Sequence, residues 1–185
     1  MSMSAVLSAS KGFHMTRGNA RELAVHLIYG REFTGEEPEK AVAARLEKEY
    51  YAKLAQENQV YSDRPSKAQV AYLDNVVAGV ANRTEELNAK IQQHSIGWDV
   101  SRISKLARCI MQLAIYEILY VEDVPTGVAI SEAVRLVKKY DGSDTGSFVN
   151  GILGSFARSL EAPKAETESV AEVVAESVTE TEDAE

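Results

Sequence analysis

Two arginines near the amino end of the chain have the spacing of a phosphate-binding pair. Arg17 and Arg21 are four residues apart, so a helix would place them on the same side. Together with Lys11 they give the first 21 positions a charge of +3, because no Asp or Glu occurs there. Guanidinium groups contact phosphates bidentately and stack on unpaired bases, so this segment is a candidate RNA-binding site. An ordinary solvated surface is the alternative interpretation.

No catalytic or metal-binding constellation accompanies these arginines. The sequence contains no phosphate-binding glycine loop and no nucleophile elbow. His14, His26 and His94 are far apart and have no acidic or thiol partner at the spacing of a metal site. We therefore expect a protein that is not an enzyme and that has no cofactor and no metal.

The negative charge of the chain is confined to one end. The 185 residues carry a net charge of −8, and residues 161–185, with nine acidic groups and Lys164, carry all of it. The preceding 160 residues hold 19 acidic and 19 basic side chains. This division predicts a neutral domain followed by an acidic tail, whose lack of aromatic residues is typical of disorder. A hydrophobic content of 45% is sufficient for a sizeable core in the domain.

Cysteine usage and hydropathy indicate a cytoplasmic protein with no membrane segment. Cys109 is the single cysteine, so no intramolecular disulfide can form, as is usual in a reducing compartment. The amino end lacks the apolar run of a signal peptide, and no stretch approaches the roughly 20 apolar residues that span a bilayer. Cys109 stands among apolar neighbours, which predicts a small core residue.

The apolar residues recur with helical periodicity throughout, which predicts an all-α domain. Six helices are expected, at residues 16–33, 38–58, 66–93, 100–120, 126–140 and 145–160. Thr16 or Asn19 could cap the first helix, and Asp99 or Ser101 the fourth. The fourth helix is the most hydrophobic and should be central. We expect a bend or break in the third helix at 82–86, and Trp98 at the junction of the two halves.

Three linked segments strongly resemble the NusB transcription antitermination family. They are RGNARELAVHLIY at 17–29, LAR, AIYEI and DVP within 106–125, and VAISEAV, KKY and FVNGIL within 128–153. The pair VAISEAV and FVNGIL is specific, and the resemblance covers residues 16–160. It implies two packed three-helix bundles, preceded by a flexible basic segment at 1–15. It also implies a protein that binds boxA-type single-stranded RNA in nascent ribosomal transcripts together with NusE, a small-subunit ribosomal protein, and that supports read-through by RNA polymerase.

The resemblance also implies which residues do the binding. The RNA contacts carried over by position are Lys11, Arg17, Arg21, Tyr140, Asp144, Phe148 and Asn150. An aromatic side chain can stack on a base, and Asp or Asn can read a base edge. Simpler roles stand beside these: Phe148 in the core, Asp144 as a helix cap and Asn150 in a local hydrogen bond. Tyr29 is assigned to NusE binding, with packing as its alternative role. Relatives often have adjacent arginines where this chain has Gly18 and Asn19, which weakens the basic motif.

Several alternatives stay open. The runner-up is a helical protein-interaction module without RNA binding of its own, because the basic motif has fewer arginines than in many relatives. A ribosomal-RNA methyltransferase is disfavoured because no glycine-rich cofactor loop is present. A homodimer is possible, and it could cover the RNA site. We also expect Tyr116, Glu117 and Glu132 to join the two bundles, with Glu132 paired to a base such as Arg108. The acidic tail either aids solubility or competes with RNA for the basic segment.

Overall fold

The fold consists of eight α-helices over the part of the chain that the computed structural model describes, residues 15–95 and 103–161. No strand occurs within those ranges. The helices are α1 (Arg17–Thr34), α2 (Pro38–Leu46), α3 (Lys48–Glu57), α4 (Lys67–Asn82), α5 (Thr84–His94), α6 (Lys105–Tyr120), α7 (Thr126–Tyr140) and α8 (Ser143–Glu161). A short 3-10 turn, Gln59–Tyr61, precedes α4. None of these helices is long and apolar enough to cross a membrane.

Two three-helix bundles make up the domain, as the family resemblance implies. The first bundle is α1, α2 and α4, with α3 beside α2. The second bundle is α6, α7 and α8, and α5 packs on α6 and α8. Helix α6 also packs against α1 and α4, so it joins the two bundles. Ten of its residues are buried, which confirms that the most hydrophobic segment is the central helix.

Side-chain caps fix where several helices begin. Thr16 rather than Asn19 caps α1, since its hydroxyl accepts a hydrogen bond from the Asn19 backbone N–H at 3.0 Å. Ser66 and Gln69 form a reciprocal capping box at the start of α4. Helix α6 begins at Lys105 and is capped by Ser104, so the expected start near residue 100 was wrong. The other expected caps, Asp99 and Ser101, and also Trp98, lie outside the described residues.

Two of the predicted long helices are each divided into two shorter helices. The expected break in the third helix is confirmed at Arg83, between α4 and α5. The expected helix 38–58 is two helices, because the chain leaves the helical conformation at Glu47. The Glu47 carboxylate accepts hydrogen bonds from the backbone N–H groups of Glu49 and Tyr50, so it caps α3 instead of continuing α2.

Close packing of α4 on α6 depends on one glycine. A Cβ atom at Gly79 would overlap the Tyr116 ring, and the Tyr116 hydroxyl donates a hydrogen bond to Asn75 at 2.9 Å. Tyr116 therefore joins the bundles, as expected. Cys109 is 1% exposed, which confirms its core position. Burial raises the pKa of its thiol to about 12, so the thiol stays protonated and unreactive at neutral pH.

Candidate nucleic-acid interface

Arg21 points into the protein and not toward solvent. Its Nε lies 2.9 Å from both carboxylate oxygens of Glu117, and the two residues are 6% and 0% exposed. Tyr72 donates a hydrogen bond to the same carboxylate at 2.9 Å. Burial opposes the charge on Arg21, but the hydrogen bond and the charge of Glu117 outweigh it, so the pKa of Arg21 is raised. A guanidinium held in this way joins α1 to α6, and its predicted contact with RNA stays a prediction.

Arg17 is far more exposed than Arg21 although the two are four residues apart on α1. It is exposed in the first turn of α1, and both arginines line a cleft of about 360 Å³ together with Tyr72, Asn75 and Asp123. Spacing alone placed the two arginines on one side of a helix. Packing against α4 and α6 buries Arg21 and leaves Arg17 accessible, so the two differ in exposure although they line the same cleft, and RNA contact by either stays a prediction.

Long side chains bridge α1 and α7 around a buried carboxylate. Glu22 is 2% exposed, and Lys139 Nζ lies 2.6 Å from its Oε1. The Tyr140 hydroxyl donates a hydrogen bond to the same oxygen, and Arg135 lies 3.6 Å from the other. Burial opposes ionisation of Glu22, but the hydrogen bonds from Lys139 and Tyr140 prevail and lower the pKa of the carboxyl. The Glu22 carboxylate is therefore buried, while its partners Arg135 and Lys139 lie on its solvent side.

A hydrogen-bonded relay continues from Tyr140 through His26. Because the Tyr140 hydroxyl donates to Glu22, it accepts from His26 Nε2, 2.9 Å away. His26 Nδ1 then accepts from the Tyr61 hydroxyl at 2.9 Å, and Tyr61 accepts from Arg45 at 2.6 Å. This arrangement requires a neutral imidazole, and burial accordingly lowers the pKa of His26. Tyr140, 38% exposed, is thus held in one orientation at the surface.

The charges along α1 and α7 are arranged with the cations toward solvent. The side chains of Arg135 and Lys139 are 44% and 47% exposed, whereas their partner Glu22 is 2% exposed. Glu132 is 24% exposed and lies 3.0 Å from Arg135. An approaching polyanion would therefore meet the positive groups first. We call Arg135, Lys139 and Tyr140 the α1–α7 face. Two further exposed cations of these helices lie beside other elements, Arg17 in the cleft with α4 and Lys138 against α8.

Asp144 and Phe148 meet in a second place, between α5 and α8. They line a cleft of about 420 Å³ to which His94 of α5 also contributes. Asp144 is exposed in the first turn of α8, and Phe148 is half-buried against the core. Asn150 is exposed on α8 and does not line this cleft. Helix α8 begins at Ser143, two residues earlier than expected, so the polar segment before it is shorter.

Tyr29 stands on an aromatic patch farther along α1. It is half-buried against the core, and its ring meets Phe33 edge to face at 5.1 Å. Phe33 is 63% exposed, and Lys105 Nζ lies 5.0 Å from the centre of its ring. Tyr29 therefore packs against the core and also borders an exposed surface. Its two predicted roles, packing and NusE binding, both remain open.

The expected ion pair between Glu132 and Arg108 was wrong, whereas the expected inter-bundle role of Glu117 was right. Glu132 does not pair with Arg108: its carboxylate lies 3.0 Å from Arg135 and 3.5 Å from Arg21. Arg108 Nε is buried and has no hydrogen-bond partner among the described residues. Glu117 does join the bundles, as expected. Lys11 lies outside the described residues.

Four residues of the interface were not predicted from the sequence: Glu22, His26, Arg135 and Lys139. Arg135 and Lys139 are four apart on α7, the same signal that singled out Arg17 and Arg21. A helical projection of α7 would have found that pair. Nothing local indicates that His26 and Glu22 face α7, because that contact joins positions more than 100 residues apart.

The fold and charge arrangement define a class: an all-helical domain of two three-helix bundles with a cationic face between them. The family model described as NusB family matches residues 18–158, and the chain belongs to that family. It is 36% identical to the transcription antitermination protein NusB of Symbiobacterium thermophilum, over 84% of this chain and 98% of that protein. Identity to NusB of Acetivibrio thermocellus is 40%, over 78% and 90% of the two chains.

Solved structures share the fold. The T. maritima NusB structure has a TM-score of 0.64 at 24% identity, over 79% of this chain and 93% of that one. A chain in the crystal structure of antitermination factors NusB and NusE in complex with dsRNA has a TM-score of 0.59 at 23% identity, over 77% and 96%. At these identities the likeness supports the two-bundle fold.

Proposed function

We propose that this chain is a transcription antitermination factor that binds boxA-type single-stranded RNA in nascent ribosomal transcripts together with NusE. In this role it supports read-through as part of the RNA polymerase antitermination complex. The antitermination function of the relatives and the complex of NusB and NusE with dsRNA, from a protein with the same fold, support this proposal. The bivalent arrangement, with one surface for RNA and another for NusE, raises the effective concentration of each partner for the other.

The observation that carries the proposal is the orientation of charge on the α1–α7 face. Arg135 and Lys139 are anchored by the buried Glu22 and present their charges to solvent. Arg17 and Lys138 add two more exposed cations. Phosphates gain free energy from such a face by releasing counterions, which makes binding depend on salt. Tyr140, held by Glu22 and His26, supplies an aromatic ring for a base.

Arg17 and Lys138, the exposed cations beside this face, give the sharpest test of RNA binding, because neither is part of the buried ion-pair network. We expect R17Q and K138Q each to weaken binding of fluorescein-labelled boxA RNA several-fold at low salt. Each should also reduce the slope of log affinity against log salt by about 0.7, the value for one lost phosphate contact on a single strand. Lys53→Gln, an exposed lysine of α3, is the matched control.

The runner-up is a helical protein-interaction module without its own RNA binding, and the aromatic patch of Tyr29 and Phe33 favours it. A 63% exposed Phe33 beside Lys105 has the character of a protein-binding hot spot. In that case the wild-type chain would show no RNA binding for R17Q or K138Q to weaken, while Phe33→Ala would still abolish NusE binding. The same titrations therefore separate the two functions. Sedimentation of the free chain tests whether a homodimer covers either surface.

A further inference from the structure

A small cleft lies between the last turns of α1 and the helix α2. Four residues spaced three and four apart line it from one side of α1: Leu27, Gly30, Arg31 and Thr34. Tyr29 and Phe33 are each two positions from Arg31, a rotation of about 200° around the helix, so the aromatic patch lies on nearly the opposite side. The cleft has a volume of about 200 Å³, less than the roughly 300–1,000 Å³ of small-ligand sites, so it fits one side chain and not a whole metabolite.

Two anchored arginines line this cleft without a carboxylate partner. Arg31 Nε donates to the backbone carbonyl of Glu36 at 2.6 Å, and Arg45 Nη1 donates to the Tyr61 hydroxyl at 2.6 Å. Within the described ranges, neither guanidinium forms an ion pair with an Asp or Glu side chain. A Cβ atom at Gly30 would lie 3.8 Å from Arg45 Nη2, so this second nitrogen reaches α1 next to Arg31. Both guanidinium groups therefore keep N–H donors for an anion in the cleft.

The remaining walls of the cleft are apolar or aromatic. Leu27 and Ala41, 2% and 8% exposed, form its floor. Tyr50 of α3 lies at the rim with 45% of its surface exposed, and its hydroxyl can donate to an anion. Arginine and tyrosine are among the residue types that dominate binding energy at protein interfaces. The lining therefore favours a side chain of a protein partner as the ligand.

The exposed part of α2 and α3 beside the cleft is acidic. Between positions 36 and 50, apart from Arg45, five exposed glutamates stand against two exposed lysines: Glu36, Glu37, Glu39, Glu47, Glu49, Lys40 and Lys48. These glutamates would repel a continuous polyanion such as RNA. A single carboxylate between basic residues matches the arrangement, because the carboxylate meets the two arginines while its basic neighbours meet the glutamates.

We propose that this cleft is a docking site for a protein partner, and that it receives one Asp or Glu side chain that is flanked by Lys or Arg. Arg31 and Arg45 bind the carboxylate with N–H groups that their anchoring contacts leave unused, and Tyr50 donates a third hydrogen bond. The basic neighbours of that carboxylate lie against Glu36 and Glu47. The inference goes beyond the proposed function, because it adds a surface that neither RNA nor NusE occupies there.

The experiment titrates the ¹⁵N-labelled full chain with three synthetic peptides. The first has a central Glu between two leucines, with two lysines at each end; the second has Gln at the centre, and the third has Glu in place of the four lysines. We expect the first peptide to shift the backbone amide resonances of Gly30, Arg31 and Thr34. It should bind about tenfold more tightly than either of the others, because a hydrogen-bonded charge is lost in one and the flanking charges are reversed in the other.

Two variants assign this binding to the cleft. R31Q should remove the preference for Glu over Gln, whereas R158Q, at an exposed arginine in the last turn of α8, should keep it. Because Arg31 also holds the Glu36 carbonyl, Tyr50→Ala serves as a second variant. Tyr50 is exposed, so its removal should leave the thermal midpoint nearly unchanged and weaken binding of the first peptide several-fold.

The inference is wrong if the Glu and Gln peptides bind equally, or if R31Q and Tyr50→Ala bind the first peptide as the wild-type chain does. It is also wrong if oligouridine or inorganic phosphate shifts the resonances of Gly30 and Thr34 and the first peptide does not, since the cleft would then be a phosphate site. None of these titrations contains NusE or boxA RNA. A chain that fails to bind boxA RNA would therefore contradict the proposed function and leave this result as it stands.

Discussion

Arg21 Nε donates to both carboxylate oxygens of Glu117 at 2.9 Å, and this pair ties the first helix to the central helix of the domain. Both residues are almost fully shielded from solvent. The pair is itself surrounded by polar partners, with Tyr72 donating to Glu117 and Glu132 lying 3.5 Å from Arg21. A residue chosen from the sequence as an RNA contact is thus part of the scaffold that positions the α1–α7 face.

The first prediction follows from that pair. Arg21→Ala leaves the Glu117 carboxylate buried without its countercharge, which costs about 3–5 kcal/mol of unfolding free energy. Arg17→Ala removes an exposed side chain and should change it by no more than about 0.5 kcal/mol. Urea denaturation followed by circular dichroism measures both. Equal stability of the two variants would contradict the buried pair, and the Arg21→Met, Glu117→Leu double variant should recover part of the loss.

A second prediction concerns the dependence of stability on pH. Because burial lowers the pKa of His26 below its ordinary value of 6.5, the unfolded chain takes up a proton at a higher pH than the folded chain does. The free energy of unfolding should therefore fall as the pH decreases from 7.5 to 5.5. Glu22, whose pKa is also lowered, adds a further loss only at lower pH, as its carboxylate becomes protonated.

The control for this effect replaces the histidine itself. His26→Gln should flatten the dependence of stability on pH between 7.5 and 5.5, because no imidazole is left in contact with Tyr61 and Tyr140. The comparison is made in a His94→Gln background, since the pKa of His94 is lowered as well. An unchanged slope in His26→Gln would show that the relay does not hold a neutral imidazole.

A third prediction concerns the acidic tail. Residues 161–185 carry the whole net charge of −8 and can compete with RNA phosphates for the cations of the α1–α7 face. A chain that ends at residue 160 should bind RNA more tightly, and the gain should be largest at low salt and vanish near 0.5 M, where the Debye length is only about 4–5 Å. Anisotropy titrations over a salt series measure this. The same affinity with and without the tail would leave solubility as its role.

Much of the fold could be predicted because it depends on local patterns. The apolar periodicity of α7 matched its observed limits, and the break at Arg83 was expected from the polar residues around it. The start of α6 was missed because Ser104 competes with two other capping residues a few positions earlier. Sequence alone does not say which of three similar caps is used.

The interface was less predictable because it depends on contacts between distant segments. Helical spacing grouped Arg17 with Arg21, but only the packing of α4 and α6 against α1 decides which of them is buried. Similarly, Lys139 and Tyr140 gain their roles from Glu22, more than 100 residues away. The resemblance to a family located Tyr140, Asp144 and Phe148, yet the structure divides them between two places on the surface.

The most direct test of the central claim is the affinity of the full chain for labelled boxA RNA, measured at one stated salt concentration with and without NusE. The proposed function requires that NusE binds the chain and tightens its RNA binding, because two linked contacts raise the effective concentration of the second. We expect a tighter complex with NusE, and unlabelled boxA should displace the labelled RNA from it more effectively than a scrambled RNA does. Failure of NusE to bind, or RNA affinity that is the same with and without it, would contradict the account.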